Sequence, residues 1–254
     1  MADAAEVPPA RLAEGDALER EHVLEVYDAI AAHFSSTRYK AWPKVQAFIE
    51  ALPKCALVAD VGCGNGKYFA CAQRHRAEAA EAEGACRYVV GIDASEGLLR
   101  LAQRQLRPQG ATDAGLHDAV AGRTDLLRAD GRRTALRGGL FDAVVSVAVL
   151  HHFATHAGRV EALRELLRLV RRDGVVLVSV WAKEQPRKRS RGDAADVFIP
   201  WEMHEQHDKA RRVYQRYYHL FAEGELEGLA AEAGAVVRAS YYDKENWCAV
   251  LAPA

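Results

Sequence analysis

Long apolar runs are absent from this sequence of 254 residues, and their absence excludes membrane-spanning helices, which need about 18 consecutive apolar residues. The most apolar stretch, Ala143 to Leu150, has the length of a buried strand. The first residues, Met-Ala-Asp-Ala-Ala-Glu, lack the basic and apolar regions of a secretory signal. We therefore expect no membrane partner and a cytoplasmic location, with the nucleus as the alternative.

Cysteine pairs with metal-binding spacing are absent as well. The five cysteines are scattered along the chain, and none belongs to a C-x-x-C pair. This usage predicts free thiols in a reducing compartment. It predicts neither a disulfide-based fold nor a zinc site, and we expect no metal ligand in the chain.

The chain also lacks a large net charge, because its acidic and basic residues nearly balance to -1 at pH 7. The chain as a whole therefore lacks the strong positive charge that is typical of nucleic-acid-binding proteins. Arginines nevertheless cluster within residues 132–137, 171–172, 187–191 and 211–216. Such clusters can contact phosphates even in a neutral protein, although most charged runs are solvated surface. Both interpretations stay open.

Hydrophobic patterning predicts strands that alternate with helices. Segments with the length and character of strands occur at residues 56–61, 87–93, 124–129, 141–149, 175–181, 236–241 and 247–251. Amphipathic segments predict helices from residue 16 onward, at 43–52 and at 159–170. The alternation predicts an α/β fold, in which a seven-stranded, mostly parallel sheet carries helices on both faces. The last two strands are expected to form an antiparallel hairpin at one edge.

The chain is expected to form one domain. Residues 1–15 are rich in alanine, glutamate and proline and predict a disordered tail. The domain would cover residues 16–254, with an N-terminal helical lid at 16–52. Three stretches, 77–85, 109–123 and 183–196, look like insertions, and the sequence assigns them no role.

The stretch Asp60 to Gly66, Asp-Val-Gly-Cys-Gly-Asn-Gly, is the first sign of a ligand site. A predicted strand runs directly into three alternate glycines and then into a helix, so the backbone can turn tightly and approach a ligand closely. Dinucleotide-binding loops have the different spacing G-x-G-x-x-G in front of a pyrophosphate. The carboxylate of Asp60 would repel a pyrophosphate and suits a cationic ligand such as S-adenosylmethionine.

Two further acids end the next two strands. Asp93 ends the second strand, where a carboxylate can accept both hydroxyls of a ribose, and Asp130 closes the third, where it could accept from an adenine amino group. A single strand-end aspartate is often only a turn former, but three in succession favour S-adenosylmethionine as cofactor. The predicted cofactor-binding residues are Asp60, Gly62, Cys63, Gly64, Gly66, Asp93, Ala94, Ala129, Asp130 and Val147.

These motifs resemble known families. The glycine loop, the strand-end acids and the segment 141–146 resemble class I S-adenosylmethionine-dependent methyltransferases over residues 45–180, which implies a Rossmann-like sheet. The stretches 26–43, 149–153, 198–201, 217–221 and 242–247 resemble the eukaryotic tRNA wobble-uridine carboxymethyl methyltransferases. That family esterifies 5-carboxymethyluridine to 5-methoxycarbonylmethyluridine. The resemblance implies a tRNA anticodon loop as substrate and a small zinc-binding activator subunit as partner.

The implied reaction needs no general base, because a substrate carboxylate with a pKa of about 4 is already ionised at neutral pH. The enzyme has to hold this carboxylate in line with the methyl group and exclude water. Arg38, in the lid, is the expected cation, since a planar guanidinium matches a carboxylate. A surface ion pair is the structural alternative for Arg38.

Further catalytic and substrate-binding residues are expected around that cation. His152 follows the fourth strand and would point at the reacting methyl group, although a packed loop histidine is equally consistent with its position. Because His151 and His152 are adjacent, an extended backbone would turn them to opposite sides. Trp181 or Trp201 could stack on the flipped wobble base, or belong to the core. The predicted catalytic residues are Arg38, His152 and Trp181, and the predicted substrate-binding residues are Arg38, Tyr39, Trp201 and Arg216.

Two other functions are compatible with the cofactor motifs. One is a methyltransferase for a small molecule such as a quinone or sterol precursor, which would not require the stretches at 26–43, 198–201 and 242–247. The other is a methyltransferase-like protein that only binds RNA or a partner, which the intact glycine loop disfavours. The third strand, at residues 126–129, would lie at an exposed sheet edge, where a partner chain can add a strand.

Overall fold

A central twisted sheet is the framework of this computed structural model, which describes residues 4–73, 87–106, 122–185 and 194–254. Seven strands form this sheet, in the spatial order β4-β3-β2-β5-β6-β10-β9. The strands are β2 (Leu57–Val61), β3 (Tyr88–Asp93), β4 (Thr124–Arg128), β5 (Phe141–Val147), β6 (Val170–Trp181), β9 (Ala235–Asp243) and β10 (Asn246–Pro253). The first five are parallel, and β10 pairs antiparallel with both β6 and β9. The predicted sheet and terminal hairpin are confirmed.

Helices cover both faces of the sheet. They are α1 (Pro9–Leu12), α2 (Asp16–Glu19), a π-helical turn (Arg20–Leu24), α3 (Glu25–Thr37), α4 (Pro43–Glu50), α5 (Phe69–Ala72), α6 (Glu96–Gln105), α7 (His156–Leu169) and α8 (Glu225–Glu232). Helices α7 and α8 pack on one face, and α4, α5 and α6 on the other. Alternate residues of β5 enter the two cores, as the period of a strand requires. Among the described residues, no helix has the length and apolarity of a membrane-crossing segment.

Local sequence signals set several helix starts. Ser95 caps α6, and its hydroxyl accepts from the backbone N of Leu98 at 3.1 Å. Thr155 caps α7 in the same way and accepts from the backbone N of Gly158 at 3.0 Å. Both residue types are preferred at this position, because the hydroxyl satisfies an otherwise unpaired amide.

A second, three-stranded sheet was not predicted from the sequence. It consists of β1 (Ala5–Glu6), β7 (Asp196–Glu202) and β8 (Val213–His219), in the order β1-β7-β8. Ala5 pairs with Phe198 and Glu6 with Val197, both antiparallel. The next residue, Val7, is buried. The expected disorder over residues 1–15 is therefore wrong for residues 4–15, because pairing with β7 fixes this segment.

The lid also differs in extent from the expected range 16–52. Residues 16–38 stand beside the carboxyl ends of the parallel strands, whereas Val45 and Ile49 of α4 belong to the core beneath the sheet. The insertion at 77–85 lies outside the described residues, as do 109–121 and 186–193 of the other two.

Cysteine usage departs from the expectation at one position. Cys63, Cys71 and Cys248 are free and buried, whereas Cys55 is disulfide-bonded. The prediction of free thiols is wrong for Cys55.

Candidate active site

The glycine loop between β2 and α5 has the left-handed backbone conformation that glycine allows. Gly62, Gly64 and Gly66 have φ of 81°, 57° and 77°, a region that residues with a side chain rarely occupy. A Cβ on Gly62 would lie 2.0 Å from Cγ2 of Val149. The backbone N of Gly62 donates to the carbonyl of Ile92 at 2.7 Å. The loop is thus held against β3 with its backbone toward an open space.

That open space is a cavity of about 290 Å³ at the carboxyl ends of the parallel strands. Its walls come from the lid, the glycine loop and the residues that follow β3, β4 and β5. Hereafter it is called the first cavity. The predicted cofactor residues that line it are Gly62, Cys63, Gly64, Asp93, Ala94, Ala129, Asp130 and Val147. Asp60 and Gly66 do not line it.

Asp93 joins the glycine loop to helix α6. Its Oδ2 accepts from the backbone N of Gly64, and its Oδ1 accepts from the backbone N of Ser95, both at 2.8 Å. Burial raises the pKa of Asp93, and the hydrogen bonds from Ser95 and Gly64 oppose that shift. A carboxylate accepts about four hydrogen bonds, so acceptor capacity remains on the cavity side for ribose hydroxyls.

Asp130 is engaged more heavily than the sequence suggested. The guanidinium of Arg132 holds both of its oxygens, with Nη2 2.7 Å from Oδ2 and Nε 3.1 Å from Oδ1. The same guanidinium pairs with Asp16 and Glu19 of the lid, at 3.1 and 3.2 Å. Asp130 therefore ties the lid to the sheet through Arg132, whose role could not be predicted because its partners lie far apart along the chain.

Asp60 lies beneath the loop and is only 4% exposed. Burial raises its pKa to about 7, against the attraction of Lys67. Burial also lowers the pKa of Lys67 to about 8. Oδ2 of Asp60 has no hydrogen-bond partner among the described residues. Lys67, which sequence reasoning missed, lines the first cavity, and its ammonium lies 4.8 Å from the ring centres of Trp42 and Tyr68.

His152 belongs to an ordered chain of hydrogen bonds. Its Nδ1 lies 3.0 Å from the carbonyl of Tyr217 and must donate to it. Nε2 then accepts a hydrogen bond from the hydroxyl of Tyr27 at 3.1 Å. The hydroxyl of Tyr27 in turn accepts a hydrogen bond from the hydroxyl of Tyr218 at 3.0 Å. Nη1 of Arg216 donates to Tyr218 at 2.9 Å. When His152 is neutral, each hydrogen bond in this chain is donated in the same direction, from Arg216 toward the carbonyl of Tyr217.

Burial lowers the pKa of His152 to about 3, so the neutral state holds at physiological pH. His152 lines the first cavity, but both of its ring nitrogens are occupied and it holds Tyr27 in place. The expected opposite orientation of His151 and His152 is wrong, because residues 150–152 form a 3-10 turn. Both rings contact Tyr218, with centres 4.9 and 4.6 Å away.

The predicted substrate residues fall into two groups. Arg38 lines both the first cavity and a second, neighbouring one, while Trp181 and Tyr39 line the second cavity alone. Trp201 and Arg216 line neither. Arg216 is 4% exposed and lies over the ring of Trp201 at 4.7 Å. Arg216 also lies over the ring of Tyr218 at 5.2 Å, and the roles of Arg216 and Trp201 in substrate binding stay predictions.

The comparisons with known proteins agree on one family. The family described as "Methyltransferase domain" matches residues 59–178. The tRNA (carboxymethyluridine(34)-5-O)-methyltransferase of Schizosaccharomyces pombe is 36% identical, over 90% of this chain and 95% of its own. The enzyme of that name from Saccharomyces cerevisiae is 30% identical, over 91% and 95%. This chain is a member of the tRNA (carboxymethyluridine(34)-5-O)-methyltransferase family.

Some members of this family are much longer than the chain described here. The member from Xenopus tropicalis is 35% identical over 92% of this chain, but the chain spans only 41% of its length. Solved structures show the same fold at low identity. A SAM-dependent methyltransferase from Methanosarcina mazei has a TM-score of 0.60 and 14% identity, over 84% of this chain and 98% of its own. The methyltransferase CcbJ from Streptomyces caelestis has 0.62 and 13%, over 93% and 98%.

The first cavity of this tRNA (carboxymethyluridine(34)-5-O)-methyltransferase family member fits S-adenosylmethionine. The glycine loop leaves room where side chains would intrude, Asp93 offers acceptors to a ribose, and a buried carboxylate lies below the loop. No group of three or more metal-ligating side chains occurs among the described residues.

One prediction concerns Gly64, which has a positive φ and no atom within 4 Å of a Cβ built on it. Gly139, in a turn far from the cavity, shares both properties. Replacing either by alanine should lower the free energy of unfolding by about 1 kcal/mol, because both positions are left-handed. Only Gly64→Ala should weaken S-adenosylmethionine binding, by roughly tenfold, since its methyl group would enter the cavity. Calorimetric titration of both variants checks this, and equal affinities would contradict it.

A second prediction follows from the pKa of about 7 for Asp60. Below pH 7 this carboxyl is protonated, and Lys67 remains an uncompensated positive charge near a cationic cofactor. Above pH 7 the carboxylate offsets Lys67, so affinity for S-adenosylmethionine should rise about fivefold from pH 6 to 7.5. Asp60→Asn should abolish the rise. Titration at both pH values measures it, and an unchanged slope in the variant would assign the dependence to another group.

Proposed function

We propose that this protein transfers a methyl group from S-adenosylmethionine to the carboxylate of 5-carboxymethyluridine at the wobble position of tRNA. The product is the methyl ester, 5-methoxycarbonylmethyluridine. The substrate is supported by the similar proteins, which are tRNA (carboxymethyluridine(34)-5-O)-methyltransferases. The observation in the structure that carries the proposal is that Arg38 and Lys67 line both cavities. They bring two cations to the boundary where a carboxylate would meet the cofactor.

Bound S-adenosylmethionine supplies an electrophilic methyl group on a sulfonium. Gly62, Cys63, Gly64 and Asp93 would hold the cofactor, with Asp93 at the ribose. Arg38 would capture and orient the substrate carboxylate with its planar guanidinium. The lid is tied to the sheet through Arg132 and Asp130, and bound substrate beside it would exclude water from the boundary.

The protonation states of the site suit a substrate that needs no deprotonation. The wobble carboxylate is ionised at neutral pH because its pKa is about 4. His152 is neutral with both nitrogens engaged, so it has no proton-transfer role. The reaction therefore requires only that the carboxylate is positioned against the methyl group and that bound substrate displaces water there. The small-molecule alternative, a quinone or sterol precursor, has no observation in its favour.

The proposal includes a small zinc-binding activator subunit as partner. Strand β4 forms one edge of the main sheet and pairs with β3. Leu126 and Leu127 on this strand are only half-buried. An edge strand with apolar side chains can accept a strand from another chain.

The decisive experiment is methyl transfer from labelled S-adenosylmethionine. The full chain is co-expressed with the zinc-binding subunit and given anticodon stem-loops with either 5-carboxymethyluridine or plain uridine at the wobble position. We expect label only in the first, released by mild base as an ester requires. Label in both stem-loops, or label stable to base, would contradict esterification. Cofactor binding without any transfer would also contradict it.

A further inference from the structure

The second cavity lies against the first and has a volume of about 440 Å³, within the range of small-ligand sites. It is surrounded by the segment that follows α3, by the carboxyl end of β6 and by the turn between β9 and β10. Arg38 and Lys67 form the wall that it shares with the first cavity. A ligand in the second cavity would therefore present a substituent to the cofactor across these two cations.

The charge of the lining suits a nucleotide. Among the described residues, the second cavity is lined by four cationic side chains, Arg38, Lys40, Lys67 and Lys244, and by one carboxylate, that of Glu245. Phosphodiesters are bound in proteins chiefly by such lysine and arginine side chains. The aromatic rings of Tyr39, Trp42 and Trp181 also line it, and unstacked RNA bases pack on rings of this kind.

The turn that closes one side of the cavity has an uncommon backbone. Lys244 and Glu245, which join β9 to β10, have φ of 47° and 66°. Two-residue turns of this kind favour asparagine and glycine, because left-handed φ costs other residues about 1 kcal/mol or more each. The chain keeps charged side chains here despite this cost, and such strain is characteristic of functional positions.

Asn246 stabilises this turn and leaves one group unused. Its Nδ2 donates to the carbonyls of Lys244, at 2.7 Å, and Asp243, at 3.2 Å. Because both neighbours are acceptors, the orientation of the amide is fixed. The side chain lines the second cavity and is 5% exposed. Its Oδ1 is a buried acceptor with no hydrogen-bond partner in the part of the chain that the structure describes.

We propose that the second cavity holds the wobble nucleotide and that Oδ1 of Asn246 accepts the N3–H of its uracil ring. This inference rests on the proposed function and adds the residue that determines the base. Uracil carries a donor at N3, whereas cytosine carries an acceptor there. An acceptor fixed by the turn would therefore favour 5-carboxymethyluridine and disfavour 5-carboxymethylcytidine. A buried acceptor left unpaired is costly, so the mismatched base is rejected.

The test compares two substrates within each variant. Anticodon stem-loops carry either 5-carboxymethyluridine or its N3-methyl derivative, which lacks the N3–H and keeps the carboxylate. For the full chain with its partner subunit, kcat/KM should fall by roughly 10²-fold on N3-methylation. In Asn246→Ala, the ratio of kcat/KM for the unmethylated substrate to kcat/KM for the N3-methyl substrate should be at least tenfold smaller than in the wild type. A purely structural role of Asn246 would lower both rates together and leave the ratio unchanged.

Trp247→Phe is the matched control. Nε1 of Trp247 donates to Glu184 at 2.9 Å, so this change loosens the same hairpin without altering the side chains that line the cavity. Its ratio should equal that of the wild type. Equal rates on both substrates for the wild type, or an unchanged ratio in Asn246→Ala, would overturn the inference alone. No transfer to 5-carboxymethyluridine by the wild type would overturn the proposed function and the inference with it.

Discussion

Replacing Asp93 by asparagine is expected to weaken S-adenosylmethionine binding by roughly 10²-fold, or about 3 kcal/mol. In the wild type, the two carboxylate oxygens accept from the backbone N of Gly64 and of Ser95. An asparagine must place its NH₂ group against one of these N–H groups, which leaves two donors facing each other. The variant loses both the anchor of the glycine loop and a charged acceptor for the ribose, and hydrogen bonds to charged groups contribute about 1.5–3 kcal/mol each.

Isothermal titration calorimetry with S-adenosylmethionine measures the effect of Asp93→Asn. The matched control is Asp125→Asn on the neighbouring strand β4, where the carboxylate accepts from the hydroxyl of Tyr88 at 2.7 Å outside the first cavity. That variant should bind the cofactor as the wild type does. An affinity within threefold of wild type for Asp93→Asn would exclude the anchoring role, and the melting temperature distinguishes lost binding from lost folding.

Replacing Arg38 by alanine is expected to lower kcat/KM for the wobble carboxylate by roughly 10²-fold, with cofactor affinity nearly unchanged. Arg38 is exposed at the end of α3, lines both cavities, and lies 5.9 Å from the ring centre of Trp201. Removing it deprives the carboxylate of its planar partner, which should raise KM. It also loosens the in-line orientation, which should lower kcat. Arg38→Lys keeps the positive charge but lacks the planar guanidinium, so it should recover part of the lost kcat/KM.

Methyl-transfer kinetics on the 5-carboxymethyluridine stem-loop provide the measurement for Arg38. The control is Arg133→Ala, because Arg133 is also exposed, lies outside both cavities and pairs with Glu161 at 2.9 Å. Exposed ion pairs of this kind contribute little, so its kinetics should match the wild type. Equal losses in both variants would show that general positive charge attracts the tRNA. No loss in Arg38→Ala would leave the capture role to Lys67.

The main sheet could be predicted from the sequence because its signals are local and agree with one another. Most of the parallel strands contain a short apolar run, and the helices between them carry apolar stripes and capping residues such as Ser95 and Thr155. The glycine loop and Asp93 followed from the same logic, because strand ends gather at one side of a parallel sheet.

The second sheet could not be predicted, because its signals are non-local. Strand β1 has two residues and pairs with β7 nearly two hundred residues later. Strand β7 contains Pro200, which lacks the N–H that a ladder requires and argues against a strand. Its position explains the tolerance, since β1 pairs only with Val197 and Phe198 and leaves that side of Pro200 unpaired.

The same sheet decides where several of the predicted site residues lie. The run Arg216 to His219 forms part of β8, so Arg216 is buried in a chain of hydrogen bonds. The roles of Lys67 and Asn246 depend on which cavity each residue lines and on which of its atoms has no partner. Such facts emerge only from three-dimensional packing.

The pairing of β1 with β7 has a consequence for synthesis on the ribosome. The parallel part of the sheet uses residues 57–181, so its strands can assemble while later codons are still being translated. Residues 5 and 6 are translated long before β7, and they have no partner strand until residues 197 and 198 have left the exit tunnel. His22 and Tyr27 of the lid hydrogen-bond to Gln215 and Tyr218 of β8, so the wall of the first cavity that residues 16–38 provide is completed only after β8 has been translated.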